Sequence, residues 1–165
     1  MSQVLILAVC LLFSSQLFSQ AEQGRKLSHE ILLTGSYKFS TEEFGVPGIA
    51  YELGYRINDL VAIEMQTGYR NWSDERNRVF PVQFGPSFYI IDNGKWETLA
   101  QFSAGPALIV GNDYASIFGH FELGLKFVKI NPNNSGLLFG LSFSQGMAFH
   151  PDNFSYINIK AGYRF

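Results

Sequence analysis

The chain is short of charge, of cysteine and of helical periodicity, and each shortage excludes a class of protein. Charged residues make up 16% of its 165 residues, against about 25% in ordinary soluble domains. The 12 bases and 14 acids give a net charge of -2, and no run of Lys or Arg supplies the electrostatic footprint that nucleic acid requires. Cysteine occurs once, as Cys10, which excludes the internal disulfide framework of many small secreted domains. No apolar run approaches the roughly 20 residues of a membrane-spanning helix. The length suits one domain.

Residues 1–21 carry no charged side chain, and residues 4–13 form an almost unbroken apolar run. That run has the length of a signal-peptide h-region, and Ser19-Gln20-Ala21 puts small residues at the -3 and -1 positions of a cleavage site. The n-region, Met1-Ser2-Gln3, has no positive side chain. The sequence predicts a signal peptide over 1–21 and an exported domain over 22–165, thiol-free once Cys10 leaves with the leader.

Beyond Leu27 the chain alternates. Apolar residues recur at every second position around Ile31, Leu33, Tyr37 and Phe39, again from Ile49 to Ile57, and from Val61 to Tyr69. Further segments carry Phe80 to Ile90, Ala100 to Val110, Ile117 to Phe127, Leu137 to Phe149, and Ile157 to Phe165. Period 2 is the signature of a two-faced β-strand. Turn residues separate the segments: Asn58-Asp59, Asp92-Asn93-Gly94 and Asn131-Pro132-Asn133-Asn134, with Asn-Gly a strong hairpin signal. The loops at 40–46, 71–78, 111–116 and 150–153 are expected to face outward. Most are longer than the turns yet still short, which argues against a large adhesin or ligand platform. Eight strands in about 140 residues match a small antiparallel barrel. Pro81, Pro86 and Pro106 disturb the pattern, because proline cannot donate to a ladder. Bulges or kinks are expected at Pro86 and Pro106, each preceded by glycine.

Alternation alone leaves the apolar face directed either into a soluble core or out to lipid. The seventh segment decides for lipid. Its large residues, Leu137, Phe139, Leu141 and Phe143, share one face; Leu138, Gly140, Ser142, Ser144, Gly146 and Ala148 share the other, without a charge. Small residues suit a narrow lumen. The run Tyr51-Glu52-Leu53-Gly54-Tyr55-Arg56 has a counterpart in Phe121-Glu122-Leu123-Gly124-Leu125-Lys126. Together the polar faces direct Glu30, Lys38, Glu52, Arg56, Glu64, Arg70, Glu122, Lys126, Lys160 and Arg164 into the lumen. Charges in so confined a place persist only when paired, so the sequence predicts a cross-lumen ion-pair network that plugs the barrel. Aromatic girdles are expected at Tyr37, Phe39, Tyr69, Trp72 and Phe80 on one rim, and at Phe88, Tyr89, Trp96, Phe127, Tyr163 and Phe165 on the other.

The leader, the alternating segments, the Tyr-Glu-Leu-Gly-Tyr-Arg type strand and the final Tyr163-Arg164-Phe165 resemble the small outer-membrane β-barrel families, porin-like and OmpA/OmpX-like. The resemblance implies an eight-stranded antiparallel up-and-down transmembrane β-barrel, in the outer membrane of a Gram-negative envelope. It also implies contact with the barrel-assembly machinery through Tyr163 and Phe165, and a monomer surrounded by outer-membrane lipid. Two other readings stand beside a structural or narrow porin-like role: a lipid A-modifying barrel enzyme and a soluble lipocalin-like ligand carrier. The deacylase type resembles a His-x-Ser-Asn pattern, which does not occur here, and His29, His120 and His150 are dispersed. His120 and Glu122 share a face, yet two ligands do not make a metal centre. The sequence calls for no catalytic residue, cofactor, metal or nucleic-acid partner.

Overall fold

The computed structural model describes residues 27–39, 42–71, 78–111, 115–147 and 154–165. The expected signal peptide, Trp72, His150 and the loop tips around them lie outside the described residues. The strands are β1 (Leu27–Lys38), β2 (Glu43–Phe44), β3 (Val46–Arg56), β4 (Val61–Asn71), β5 (Arg78–Asp92), β6 (Trp96–Val110), β7 (Ala115–Ile130), β8 (Gly136–Met147) and β9 (Phe154–Arg164). All neighbours are antiparallel, in the order β1-β3-β4-β5-β6-β7-β8-β9, and β9 returns to pair with β1. The result is a closed eight-stranded barrel; β2 is a two-residue extension against Tyr37 and Lys38 outside that ring. Closure removes the exposed strand edges that an open sheet presents to other chains.

Both ends of the described chain and the three tight turns, 57–60, 93–95 and 131–135, share one rim; the other connections, which include the longest, share the opposite, long-loop rim. The turns are built from local chemistry. Asn58 Oδ1 accepts from the amides of Leu60 and Val61, and Asn93 Oδ1 from those of Lys95 and Trp96. Gly94 and Asn134 adopt positive φ, 74° and 63°, where glycine and asparagine are tolerated best.

The outer wall is the apolar face. Leu33, Ile117 and Ile159 are 61%, 66% and 62% exposed, while inward neighbours such as Leu32, Val79, Gln83 and Asn158 are fully buried. The five shorter barrel strands, of 11–12 residues, at about 3.3 Å rise and tilted by about 45°, give a band about 25 Å tall, the height of a barrel's lipid-facing belt; β5, β6 and β7, of 15–16 residues, run beyond it.

Pro86 and Pro106 do not shift the register. Instead, β5 and β6 pair as Arg78–Pro81 against Val110–Ala107, touch again at Phe84 with Ala104, and resume at Ser87 with Gln101. Gly85-Pro86 and Gly105-Pro106 flank that single contact symmetrically. A Cβ at either glycine would collide with a backbone carbonyl of the facing strand, Phe102 or Val82, so glycine is what lets the two strands approach there. The β3–β4 ladder has a register shift between Val46 and Ile49; in the β5–β6 ladder the shift lies between Tyr89 and Ile91. It leaves Ile90 and Ile91 both exposed and turns Asp92 from the outer face to a position opposite Glu97.

Tyr37, Phe39 and Phe44 cluster on one rim, as do Tyr69 and Phe80, and Tyr163 packs edge-on against Phe165 at the other. Tyr89 departs from the expected girdle. It points inward, against the buried cluster Leu32, Ala50, Leu99, Val128 and Leu138, with the Arg56 guanidinium 4.1 Å from its ring centre. A second buried cluster, Val79, Ala107, Ile109 and Phe118, fills the lumen on the long-loop side of β5–β7. The interior therefore holds large apolar groups as well as small and charged ones.

Leu141 lies near the middle of the outer wall, between Leu125 and Ile159. Leu141→Arg is expected to lower the stability of the barrel in phospholipid vesicles by about 2–4 kcal/mol, read from denaturant unfolding of the inserted protein. An unchanged midpoint would mean that this wall does not face lipid.

Candidate functional site

The lumen is organised around Lys126. Its ammonium, reaching from β7, donates to Glu30 on β1 at 2.9 Å, Glu52 on β3 at 3.1 Å and Glu64 on β4 at 2.7 Å. Glu30 and Glu52 are directly opposed in the β1–β3 ladder, an arrangement that repels by itself. Strand β3 lies across the barrel from β7, so the base that resolves this repulsion comes from the far wall. All four side chains are at least nine-tenths buried.

From this hub an unbroken series of ion pairs runs in both directions. Toward the long-loop rim, Glu52 binds Lys160 at 2.9 Å; Lys160 binds Glu122 at 2.5 Å, and Glu122 binds Arg70 at 2.9 Å. Toward the tight-turn rim, Glu30 binds Arg164 at 2.8 Å, Arg164 binds Glu97, and Arg56 lies 3.8 Å from the other oxygen of Glu97. Arg56 ends the series at the surface, on Asp92 at 2.9 Å and Asp59 at 3.6 Å. Glu30, Glu52, Glu64, Glu97 and Glu122 thus balance Arg56, Arg70, Lys126, Lys160 and Arg164 in charge.

Neutral groups complete the coordination. Gln101 donates to Glu64 and, at 3.4 Å, to Glu52; Ser144 donates to Glu122 at 3.0 Å; Gln66 accepts from Lys160 at 3.4 Å. Asn158 donates to Ser142 and Ser144 and accepts from Ser36. Gly140 stands between Lys126 and Lys160 in the cross-strand row. A Cβ there would lie 3.4 Å from that of Lys160, so glycine leaves the lysine stem its path inward. Beside the carboxylates a cavity of about 10 Å³ is lined by Glu52, Glu64, Gln66, Gln101, Ser103 and Glu122, among others. That is about the space one water needs.

Of the residues the sequence directs inward, Glu30, Glu52, Glu64, Arg70, Glu122, Lys126, Lys160 and Arg164 meet in the lumen. Arg56 is the rim member. Lys38 faces inward, half-buried, next to Tyr156 in the β1–β9 ladder and beyond Ser36 toward the loops. Glu97 is absent from the sequence expectation, although counting back by twos from Gln101 reaches it. The same count from Asn158 reaches Tyr156, whose buried hydroxyl bonds His120 and, at 3.4 Å, Arg70. His29 lies on the outer face with Ile31 and hydrogen-bonds the Tyr51 hydroxyl at 2.6 Å. Among the described residues no group of three or more His, Cys, Asp and Glu forms a metal site. Tyr163 donates to Ser135 at 2.7 Å, and Phe165 is half exposed on the outer wall.

Removing one partner of a buried pair leaves uncompensated charge and costs about 3–5 kcal/mol. Lys126→Met, which takes one cation from Glu30 and Glu52 and the only one from Glu64, is expected to lower the unfolding free energy of the inserted barrel by about that range. Asp59→Asn, at the fully exposed end of the series, is expected to leave the midpoint where it is. Equal effects of the two would show that the network does not hold the lumen.

No protein-family profile and no curated protein matches the chain. Solved structures do. Neisserial surface protein A (NspA) is 14% identical over 84% of this chain and 94% of that one, with a TM-score of 0.62. The N-terminal β-barrel domain of Pseudomonas aeruginosa OprF is 14% identical over 87% and 100%, with a TM-score of 0.56. The Yersinia pestis outer membrane protein Ail, in a phospholipid bilayer nanodisc, is 14% identical over 86% and 100%, with a TM-score of 0.53. At such identity the likeness concerns the architecture: the chain has the fold of the small eight-stranded outer-membrane barrels.

Proposed function

We propose that this protein is a non-enzymatic, monomeric, integral outer-membrane barrel whose lumen is closed by its ion-pair network. One observation carries the reading: the barrel is inside-out. Its wall exposes Leu, Ile and Phe in a continuous belt, and its centre buries Glu, Lys and Arg. A water-soluble carrier of the same topology needs the reverse, because an exposed apolar belt of this extent is an aggregation surface in water. With lipid around the wall, the apolar belt and the buried charges are both satisfied.

In this reading residues 1–21 direct export, and Tyr163 and Phe165 on the closing strand are what the assembly machinery engages. The tight-turn rim faces the periplasm and the long loops face outward. The fold-level similarity to Ail in a bilayer and to the surface protein NspA supports the location, as analogy of fold only. The non-enzymatic part rests on the lumen. Its titratable groups are engaged with one another, and the buried His120 sits between Tyr156 and Phe118 rather than at a substrate-facing surface. The same closure makes the role structural rather than a wide pore.

Fractionation of cells, followed by detergent gels with and without boiling, is expected to put the protein in the outer membrane with heat-modifiable migration. Recovery from the aqueous periplasm without detergent would overturn the reading. In planar bilayers the conductance is expected to be very small; large, stable single-channel steps would contradict a closed lumen.

A further inference from the structure

The outer wall is nearly devoid of charge, and its exceptions are both cations. Alternation places only Arg78, at the long-loop end of β5, and Lys129, at the tight-turn end of β7, on the outer faces of the barrel strands as described. Lys129 is the cross-strand partner of Trp96. Its ammonium lies 5.9 Å from the indole ring centre, within reach of the ring's electron-rich face.

A second cation is fixed beside this pair. Lys95 immediately precedes Trp96 in the β5–β6 turn, where Asn93 Oδ1 holds the Lys95 and Trp96 amides at 3.0 and 2.8 Å. The Lys95 carbonyl in turn accepts from the amide of Ile130, next to Lys129, at 2.8 Å. The two lysines therefore belong to one braced corner.

Neither lysine enters an ion pair among the described residues. Asp92 and Glu97, the acids nearest along the hairpin, are held by Arg56 and Arg164. The same stretch of wall is apolar: exposed Leu137 stands opposite Lys129 in the β7–β8 ladder, and exposed Phe127 lies two residues further along β7 from the turn. Two uncompensated cations, a half-exposed indole and an apolar wall beyond them together complement one ligand shape: an anionic headgroup attached to acyl chains.

We propose that Lys95, Trp96 and Lys129 form a seat for an anionic phospholipid, with its phosphate at the two ammonium groups and its chains along Phe127 and Leu137. The seat belongs to the leaflet that meets the tight turns. This rests on the reading of the barrel as bilayer-spanning and adds a preferred lipid class to it. Near an anionic membrane surface each lysine strengthens the attraction to that surface by roughly fivefold.

The chain has two tryptophans, so Trp72→Phe leaves Trp96 as the sole indole reporter. That protein, refolded into vesicles, is titrated with phosphatidylglycerol or phosphatidylcholine, each brominated at the same shallow chain position. At equal mole fraction, phosphatidylglycerol is expected to quench Trp96 at least about twofold more. Lys95→Gln with Lys129→Gln is expected to bring the two lipids to parity while heat-modifiable migration is retained. Parity in the parent, or an excess that survives the double substitution, overturns the seat and leaves the barrel reading intact. A parent that neither inserts nor is quenched by either lipid overturns both.

Discussion

An ammonium surrounded by three carboxylates, Lys126 among Glu30, Glu52 and Glu64, is the interaction on which the rest of the lumen depends. Desolvating an ion costs several kcal/mol, and only close opposite charge with further hydrogen bonds recovers that cost. The acids sit on adjacent strands, where they repel one another; the base arrives from across the barrel. The arrangement therefore exists only when the sheet has closed. Arg164 makes the dependence mutual: it faces Glu30 in the β1–β9 closing ladder and also binds its carboxylate. Completing the sheet and completing the charge network are one event.

The bulge between Tyr89 and Ile91 follows from the same constraint. Without it Asp92 would share the outer face with Phe88 and Ile90. The extra residue turns Asp92 inward, where Arg56 joins it to Glu97. A carboxylate is thereby taken off the wall, and the terminal arginine of the series gains a partner at the rim. Two isoleucines left side by side on the outside offset the irregularity by adding apolar surface where lipid contact begins.

Alternation makes most of this legible. Period 2 fixes the faces of Glu52, Glu64, Glu122, Lys126 and Lys160 without knowledge of any neighbour, because a strand has only two sides. It also places Tyr89 inside, between outward Phe88 and Ile90; assigning it to a rim girdle follows residue type instead of parity. Glu97 escapes because the alternation of the fifth segment, taken from Ala100 onward, stops short of it. Which charge meets which is not legible. The related runs around Glu52 and Glu122 lie on opposed strands, and Lys126 does reach Glu52, yet Arg56 bonds Asp92 rather than Glu122. That outcome depends on the stagger between strands, a property of the closed barrel. The bulge is hidden too. Proline and glycine suggest distortion at Pro86 and Pro106, where close approach of β5 and β6 keeps the register intact; the shift in that ladder falls beside isoleucines that announce nothing.

An apolar filling would pack this lumen and avoid every desolvation cost, so the charges require a reason beyond stability. Register supplies one. A slip of one residue moves a strand's whole inward set to the outer face. If both faces were apolar, such a slip would change little. With Glu52 on β3, Glu64 and Arg70 on β4, Glu122 and Lys126 on β7, and Lys160 and Arg164 on β9, a slip exposes ions to hydrocarbon. A basic residue there costs about 2–4 kcal/mol near the midplane. The inward charges thus penalise wrong pairings more than they reward the right one. They also keep the strands two-faced, so that before insertion the chain is not apolar on both sides. The ion-pair network closes the lumen, and it also fixes which barrel the sequence can form.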